Sequence, residues 1–239
     1  MFFLILFSVL PDTSYIEKEI AKVDSLYNES YKDTTLLFRA EKILDSLLNS
    51  EILSDEVLWR KSYFCFEISY SKKHKEEKME WLQKGQNFAK RAIQINPDNP
   101  EAHFWYASNL GNSGKLKGVL NSLFMVADLK KEAAKILDLK EDHAGAHVLL
   151  GEIYSSLPGF AGGNKDKAVE EYKKAIENDT LYTAAYSRLA KLYVGMKKYD
   201  EGRKILNKML SLKSRRNPTH FHLYEKNEAE ELLKKIEKK

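Results

Sequence analysis

The side chains in this 239-residue chain best suited to chemistry are six histidines, one cysteine and a glycine-rich turn. His143 and His147 stand four apart, which on a helix puts both on one face and supplies half of a zinc site. The hydrolytic form of that pair needs a glutamate directly after the first histidine, and the chain has Ala144 there. His143 therefore reads as a residue at a helix start. His147 reads as a structural position, because His103 precedes it by 44 residues in a matching context, AHFWYASNL against AHVLLGEIY. His220 and His222, in THFH ahead of the last helix, offer two ligands with no recognisable carboxylate partner nearby. The turn LPGFAGGNK lacks the Gly-Lys-Ser/Thr ending of a phosphate loop, and no strand leads into it. Its Gly162 and Gly163 permit positive φ, Asn164 can cap the helix that follows, and Phe160 at the tip either tucks into the fold or contacts a partner. Ser155 and Ser156 have no nucleophile elbow around them. Cys65, the sole cysteine, excludes an internal disulfide and reads as a small buried side chain within SYFCFEI. The sequence thus nominates no catalytic residue, no metal site and no cofactor.

The elements that carry these residues are helical. Five prolines and 11 glycines among many Lys, Glu, Leu and Ala leave little room for anything else. Ile16, Ile20, Val23 and Tyr27 share one helix face, and Leu37, Ala40, Leu44 and Leu47 share another. Asn99 followed by Pro100 and Glu101 is a strong helix start, and it closes the helix that ends near Asn96-Pro97. Residues 116–139 predict one long helix or two with a break near Asp128, and a last helix is expected from about Asn227. The net charge of +4 is spread over interleaved acids and bases, with only Lys213, Arg215 and Arg216 forming a short basic run. That pattern describes solvated helix faces and argues against a nucleic-acid partner.

The first ten residues, MFFLILFSVL, are wholly apolar. They reach about half the ~20 residues needed to span a bilayer but have the length of a signal-peptide core. The expectation is export to the periplasm or membrane association, with residues 1–14 as a signal peptide or an anchor; the bland alternative is a terminal helix packed on the first repeat.

Two segments repeat. Leu150, Gly151 and Tyr154 correspond to Leu189, Ala190 and Tyr193, 39 positions on, and Ala168, Tyr172 and Ala175 correspond to Gly202, Leu206 and Met209. The interval is the tetratricopeptide period of about 34 residues with about five more in the LPGFAGGNK turn. The fold expected is all-α: a right-handed superhelical solenoid of about four helix pairs over residues 15–239. Its best repeats lie at 99–140, 143–180 and 181–212, and a C-terminal cap at 217–239. In such a solenoid the first helix of each pair lines the concave face. This nominates Phe104, Ser108, Asn112, Val148, Glu152, Ser187 and Lys191 as partner-binding residues, with Phe160, Gly162 and Gly163 as a binding loop.

HVLLGEIY…KAVEEYKKAIEND resembles the tetratricopeptide-repeat family. Over roughly residues 81–236, the PGFAGGNKDKA turn and the long insert before HAGAH look like the bacterial T-component proteins associated with TRAP transporters. The same features are similar to the related regulators of microtubule dynamics. The bacterial resemblance implies a periplasmic, usually lipid-anchored helical protein that pairs with an extracytoplasmic solute-binding protein and assists transfer of a hydrophobic ligand. No lipid-accepting cysteine follows the apolar segment here. The function expected is a non-catalytic protein-binding scaffold. Its alternatives are a carrier of a hydrophobic small molecule inside the superhelix and a cytosolic adaptor, and self-association stays open.

Overall fold

The computed structural model describes residues 13–49 and 54–237. The apolar segment 1–10, and the export or tether expected of it, lie outside the described residues. Five helical pairs follow one another: α1 (Thr13–Glu29) with α2 (Thr35–Asn49), α3 (Asp55–Ser71) with α4 (Lys75–Ile95), α5 (Pro100–Lys117) with α6 (Val119–Leu139), α7 (Ala144–Ser156) with α8 (Lys165–Asn178), and α9 (Thr183–Gly195) with α10 (Tyr199–Ser211). This is one pair beyond the four or so expected. A tail follows, made of a helical turn α11 (Pro218–His220), a π-helical turn (Phe221–Glu225) and α12 (Lys226–Ile236).

The starts of these helices follow from local chemistry. The side chains of Ser54, Asn99, His143 and Asn164 each accept a backbone N–H from the first turn they precede. Such a cap satisfies a donor that the helix itself leaves orphaned. Pro100 sits where a missing N–H costs nothing. Of the two readings of residues 116–139, one long helix or two, the structure takes the first: α6 runs unbroken through Asp128 from Val119, after Gly118, whose φ of 99° is open to glycine. The final helix, α12, starts at Lys226, within one residue of the Asn227 expected, and the short turn α11 ahead of it is capped by Asn217.

Packing follows the small-against-large rule of stacked repeats. Ala107, Ala168, Ala175 and Ala190 have no exposed surface, so neighbouring backbones approach closely. At Gly151 an added Cβ would lie 2.5 Å from Cε1 of Tyr172. Ala190, Leu189, Tyr186, Leu206, Met209 and the tail residues Phe221, Ala229 and Ile236 form one continuous apolar cluster. The cap helix is therefore fixed on α9 and α10. Cys65 is buried and its thiol is pushed up to about 12 by that burial. We expect no reaction with a thiol reagent such as Ellman's in the native protein and stoichiometric reaction after denaturation; rapid native labelling would contradict this packing.

Candidate functional site

The stacked pairs curve round a half-open chamber of about 390 Å³. Its wall draws on the first helix of each pair: Asp24 and Tyr27 from α1, Trp59, Tyr63, Phe66 and Tyr70 from α3, Phe104 and Trp105 from α5, Val148 and Glu152 from α7, and Arg188 from α9. Arg216, Asn217, His220 and Glu225 of the tail complete it. Aromatic rings make a connected band. Tyr27 meets Tyr63 at 5.0 Å between centroids, Tyr63 meets Trp105 at 4.3 Å, and Trp105 meets Phe104 at 4.9 Å.

Several charges in this wall are paired, whereas Glu225 of the tail keeps a buried Oε2 with no hydrogen-bond partner. Glu152 of α7 accepts from Lys115 Nζ of α5 and Arg188 Nε of α9, each at 2.5 Å. Burial alone would raise the Glu152 carboxyl, but the two cations outweigh it and hold the group at about 2. Burial also disfavours the charged form of Glu101, yet His143 and Arg216 draw it below the ordinary carboxylate range. His143 Nε2 lies 3.4 Å from Glu101, and Arg216 lies 3.5 Å from it. Asp24 takes two bonds from Arg60, at 2.9 and 2.8 Å, which ties α1 to α3. His220 Nδ1 lies 3.0 Å from Glu67. Burial pulls that imidazole's pKa down, but the Glu67 charge and hydrogen bond overcome it and leave the net value raised.

Opposite charges recur one repeat apart. Lys115 and Glu152, Asp98 and Lys135, Asp179 and Arg216, and Lys191 and Glu228 are each 37 positions apart and each form an ion pair. A repeat stack brings such positions side by side, so this spacing was a readable signal that single-helix patterns do not display.

Of the residues nominated on the concave face, Phe104, Ser108, Asn112, Val148 and Glu152 line the chamber. Ser187 is buried on α9, and Lys191 is engaged by Glu228 of the cap helix. Phe160 is 92 % exposed at the tip of its turn. Gly162 there has φ 90°, Gly163 N–H donates to Pro158 O at 3.0 Å, and a Cβ on Gly163 would overlap the Leu157 carbonyl. The chemistry residues are structurally occupied. His143 caps α7, and His103 and His147 bind Glu132 and Glu171 at 2.6 and 2.7 Å. The other nitrogen of His103 faces the Pro97 carbonyl at 2.9 Å, so both nitrogens donate, and the bond to Glu132 raises its pKa. No group of three or more His, Cys, Asp or Glu is placed to hold a metal ion among the described residues, and no described helix is long and apolar enough to cross a membrane. Sequence reading missed the tail as part of the site, together with Arg188, Tyr63, Trp59 and Glu67. The partners of Tyr63 and Glu67, Asn217 and His220, lie more than 150 positions along the chain.

Comparison with known proteins agrees with this architecture. Residues 144–180 and 183–215 match the tetratricopeptide repeat. The crystal structure of a thermophilic tetratricopeptide-repeat protein from Thermus thermophilus superposes with a TM-score of 0.69 at 15 % identity, over 91 % of this chain and 98 % of that one. A tetratricopeptide repeat protein from Parabacteroides merdae gives 0.53 at 18 % identity, over 95 % and 83 %. At such identities these matches speak for the fold alone. Regulator of microtubule dynamics protein 1 of Mus musculus is 26 % identical over 146 residues, which is 60 % of this chain and 45 % of that protein. The Bos taurus protein is 26 % identical over 138 residues, 57 % and 41 %. The chain thus spans less than half the length of the curated relatives it matches. Residues 19–156, more than half of the chain, match the family described as regulator of microtubule dynamics protein 1-3, and the chain belongs to that family.

Proposed function

We propose that this protein is a non-catalytic binding scaffold whose interior chamber holds a compact apolar or amphipathic molecule, while protein partners dock on its outer surface. The observation that carries this reading is the chamber itself. At about 390 Å³ it falls within the size range of small-molecule sites. A band of aromatic rings supplies the apolar lining, and the paired ions at Glu152, Glu101 and Glu67 supply fixed polar points. A partner domain entering the concave face would instead have to displace the tail, so the occupant suited to this volume is a small molecule.

Exported partnership with an extracytoplasmic solute-binding protein fits the same reading. A carrier that holds an apolar cargo in this half-open chamber would receive it from, or pass it to, such a protein. The rigid turn that presents Phe160 is a suitable outer anchor. Crosslinked pull-down from native cells separates this from the alternatives. Recovery of a solute-binding protein supports export, whereas recovery of cytosolic proteins alone, tubulin among them, supports an adaptor.

The chamber is tested with the fluorescent apolar probe N-phenyl-1-naphthylamine. Ser108 lines the chamber, so Ser108→Trp should fill it. Probe affinity is expected to fall by at least about 10-fold with the helical circular dichroism unchanged, since each 1.4 kcal/mol of lost contact is a factor of ten. Unchanged affinity in the folded variant would place the probe elsewhere and reject the chamber as the site.

A further inference from the structure

Two phenylalanines of this protein stand in water. Phe160 is 92 % exposed and Phe124 is 83 % exposed. One exposed apolar side chain is ordinary, but two on neighbouring turns mark a surface. The helices of each pair run antiparallel, so the turns within pairs all lie along one rim of the solenoid and the turns between pairs along the other. Phe160 sits on the turn inside the fourth pair, and Phe124 on the second turn of α6, just past the bend inside the third. The two places adjoin. Met125 and Leu157 pack in one apolar cluster, and a Cβ on Gly162 would lie 3.9 Å from Lys130 Nζ of α6.

Main-chain bonds fix the turn that holds Phe160 out. Ala161 and Gly163 N–H donate to Pro158 O at 2.9 and 3.0 Å, Gly162 N–H to Gly159 O at 3.1 Å, and Asn164 N–H to Tyr154 O at 2.9 Å. The fifth pair makes the same connection with only Met196, Lys197 and Lys198, so the stack does not require the longer turn at 157–164.

The charge of this rim suits a bilayer. Lys117, Lys165, Lys167, Lys197 and Lys198 are all exposed on the turns inside the last three pairs. Residues 117–118, 157–167 and 195–198 hold one acid against them, Asp166. The between-pair turns 96–99, 140–143 and 179–182 carry Asp98, Glu141, Asp142 and Asp179 against the base Lys140, with Arg216 of the tail drawn in beside Asp179.

Independently of what the chamber holds, we propose that this rim docks on the surface of a bilayer rich in anionic headgroups. Phe124 and Phe160 enter the acyl boundary, and the lysines meet lipid phosphates. A protein partner grips an anchor residue by enclosing it in a pocket, and two rings on separate tips would need two pockets. A bilayer takes in any projecting ring, while lysine stems reach back to the headgroups. The acidic turns of the opposite rim are repelled by the same headgroups, so they face away and the docked orientation is fixed.

The apolar residues 1–10 could by themselves hold the full chain on vesicles, so the test reads the rim locally. In the full-length protein Phe160→Trp puts an indole at the tip, and the wild type, which shares Trp59, Trp81 and Trp105, is the blank. The vesicles are equal parts phosphatidylglycerol and phosphatidylcholine, the latter brominated on its acyl chains. The added emission should shift to the blue and be quenched on these vesicles, and stay unchanged on brominated phosphatidylcholine alone. In the same background, Phe124→Ser, or Lys165→Glu with Lys167→Glu, should weaken the vesicle affinity read by this quenching by at least about 5-fold. Helical circular dichroism should not change, because all of these side chains are exposed. Protein that sediments with the vesicles while the indole stays unquenched is bound through another part, and the proposal fails. It fails too if quenching is equal without phosphatidylglycerol. Capture of a protein partner from cells that depends on Phe160, with no quenching on any vesicle, would assign the turn to that partner instead.

Discussion

Replacing Glu152 by glutamine is expected to lower the unfolding free energy by about 3 kcal/mol, measured by chemical denaturation at pH 7. The carboxylate lies between Lys115 and Arg188 with only 18 % of its side chain exposed. A neutral amide leaves both cations without their counter-charge, and removing one member of a buried ion pair typically costs about 3–5 kcal/mol. The substitution also carries a pH signature. A group whose pKa is about 2 when folded and about 4.3 when unfolded binds fewer protons in the native state. Its contribution is then complete above about pH 4.5 and is lost as pH falls toward 2, a swing of about 3 kcal/mol. Wild type should therefore lose more stability than Glu152→Gln across that interval. Parallel pH profiles for the two proteins would mean that Glu152 does not carry the charge balance of the chamber wall.

Gly151→Leu should cost about 3 kcal/mol, at the upper end of the range for overpacked cores. Even a Cβ at this position would stand 2.5, 2.7 and 2.9 Å from three atoms of the Tyr172 ring. That ring is 2 % exposed, and its hydroxyl meets Ser155 at 3.3 Å, so it has little freedom to retreat. Gly151→Ala should cost less, and a smaller partner should relieve it. The double change Gly151→Ala with Tyr172→Leu should be less destabilising than the two single losses added together, by about 1 kcal/mol or more. Strict additivity in urea denaturation would indicate that α7 and α8 move apart at little cost.

Much of the scaffold could be read from local pattern. Ile20, Val23 and Tyr27, or Leu44 and Leu47, recur at helical spacing because each helix buries one stripe, and all five are in the core. Asn99, His143 and Asn164 announced their helices because capping depends on the two or three residues that follow. The break at Gly118 was harder to read. Its position depends on where the backbone turns to positive φ, and the apolar spacing on both sides of Gly118 is continuous. Only part of the site was legible. Phe104, Ser108, Asn112, Val148 and Glu152 were placed by repeat position and do border the chamber. Ser187 and Lys191 followed the same rule, yet one is packed away and the other is held by Glu228, a residue of the cap that lies outside the repeat pattern. The tail's bonds to Tyr27, Ser30, Tyr63 and Glu67 span 153 to 192 positions and leave no periodic trace in the sequence.

Those same bonds change what kind of object the protein is. In a row of repeats where each touches only its neighbours, the two terminal units have one interface apiece and are the first to fray. Here the first helix of the row and the segment after the last pair hold each other, so neither is a free terminus in the energetic sense. Loosening one exposes the other, and the row behaves as a hoop whose breaking point is shared. The cost falls on assembly. Contacts 189 residues apart carry a long loop-closure penalty and can form only when the pairs between them have stacked into a nearly complete turn. The clasp is therefore expected to form late, after the pairs that separate its two halves have stacked.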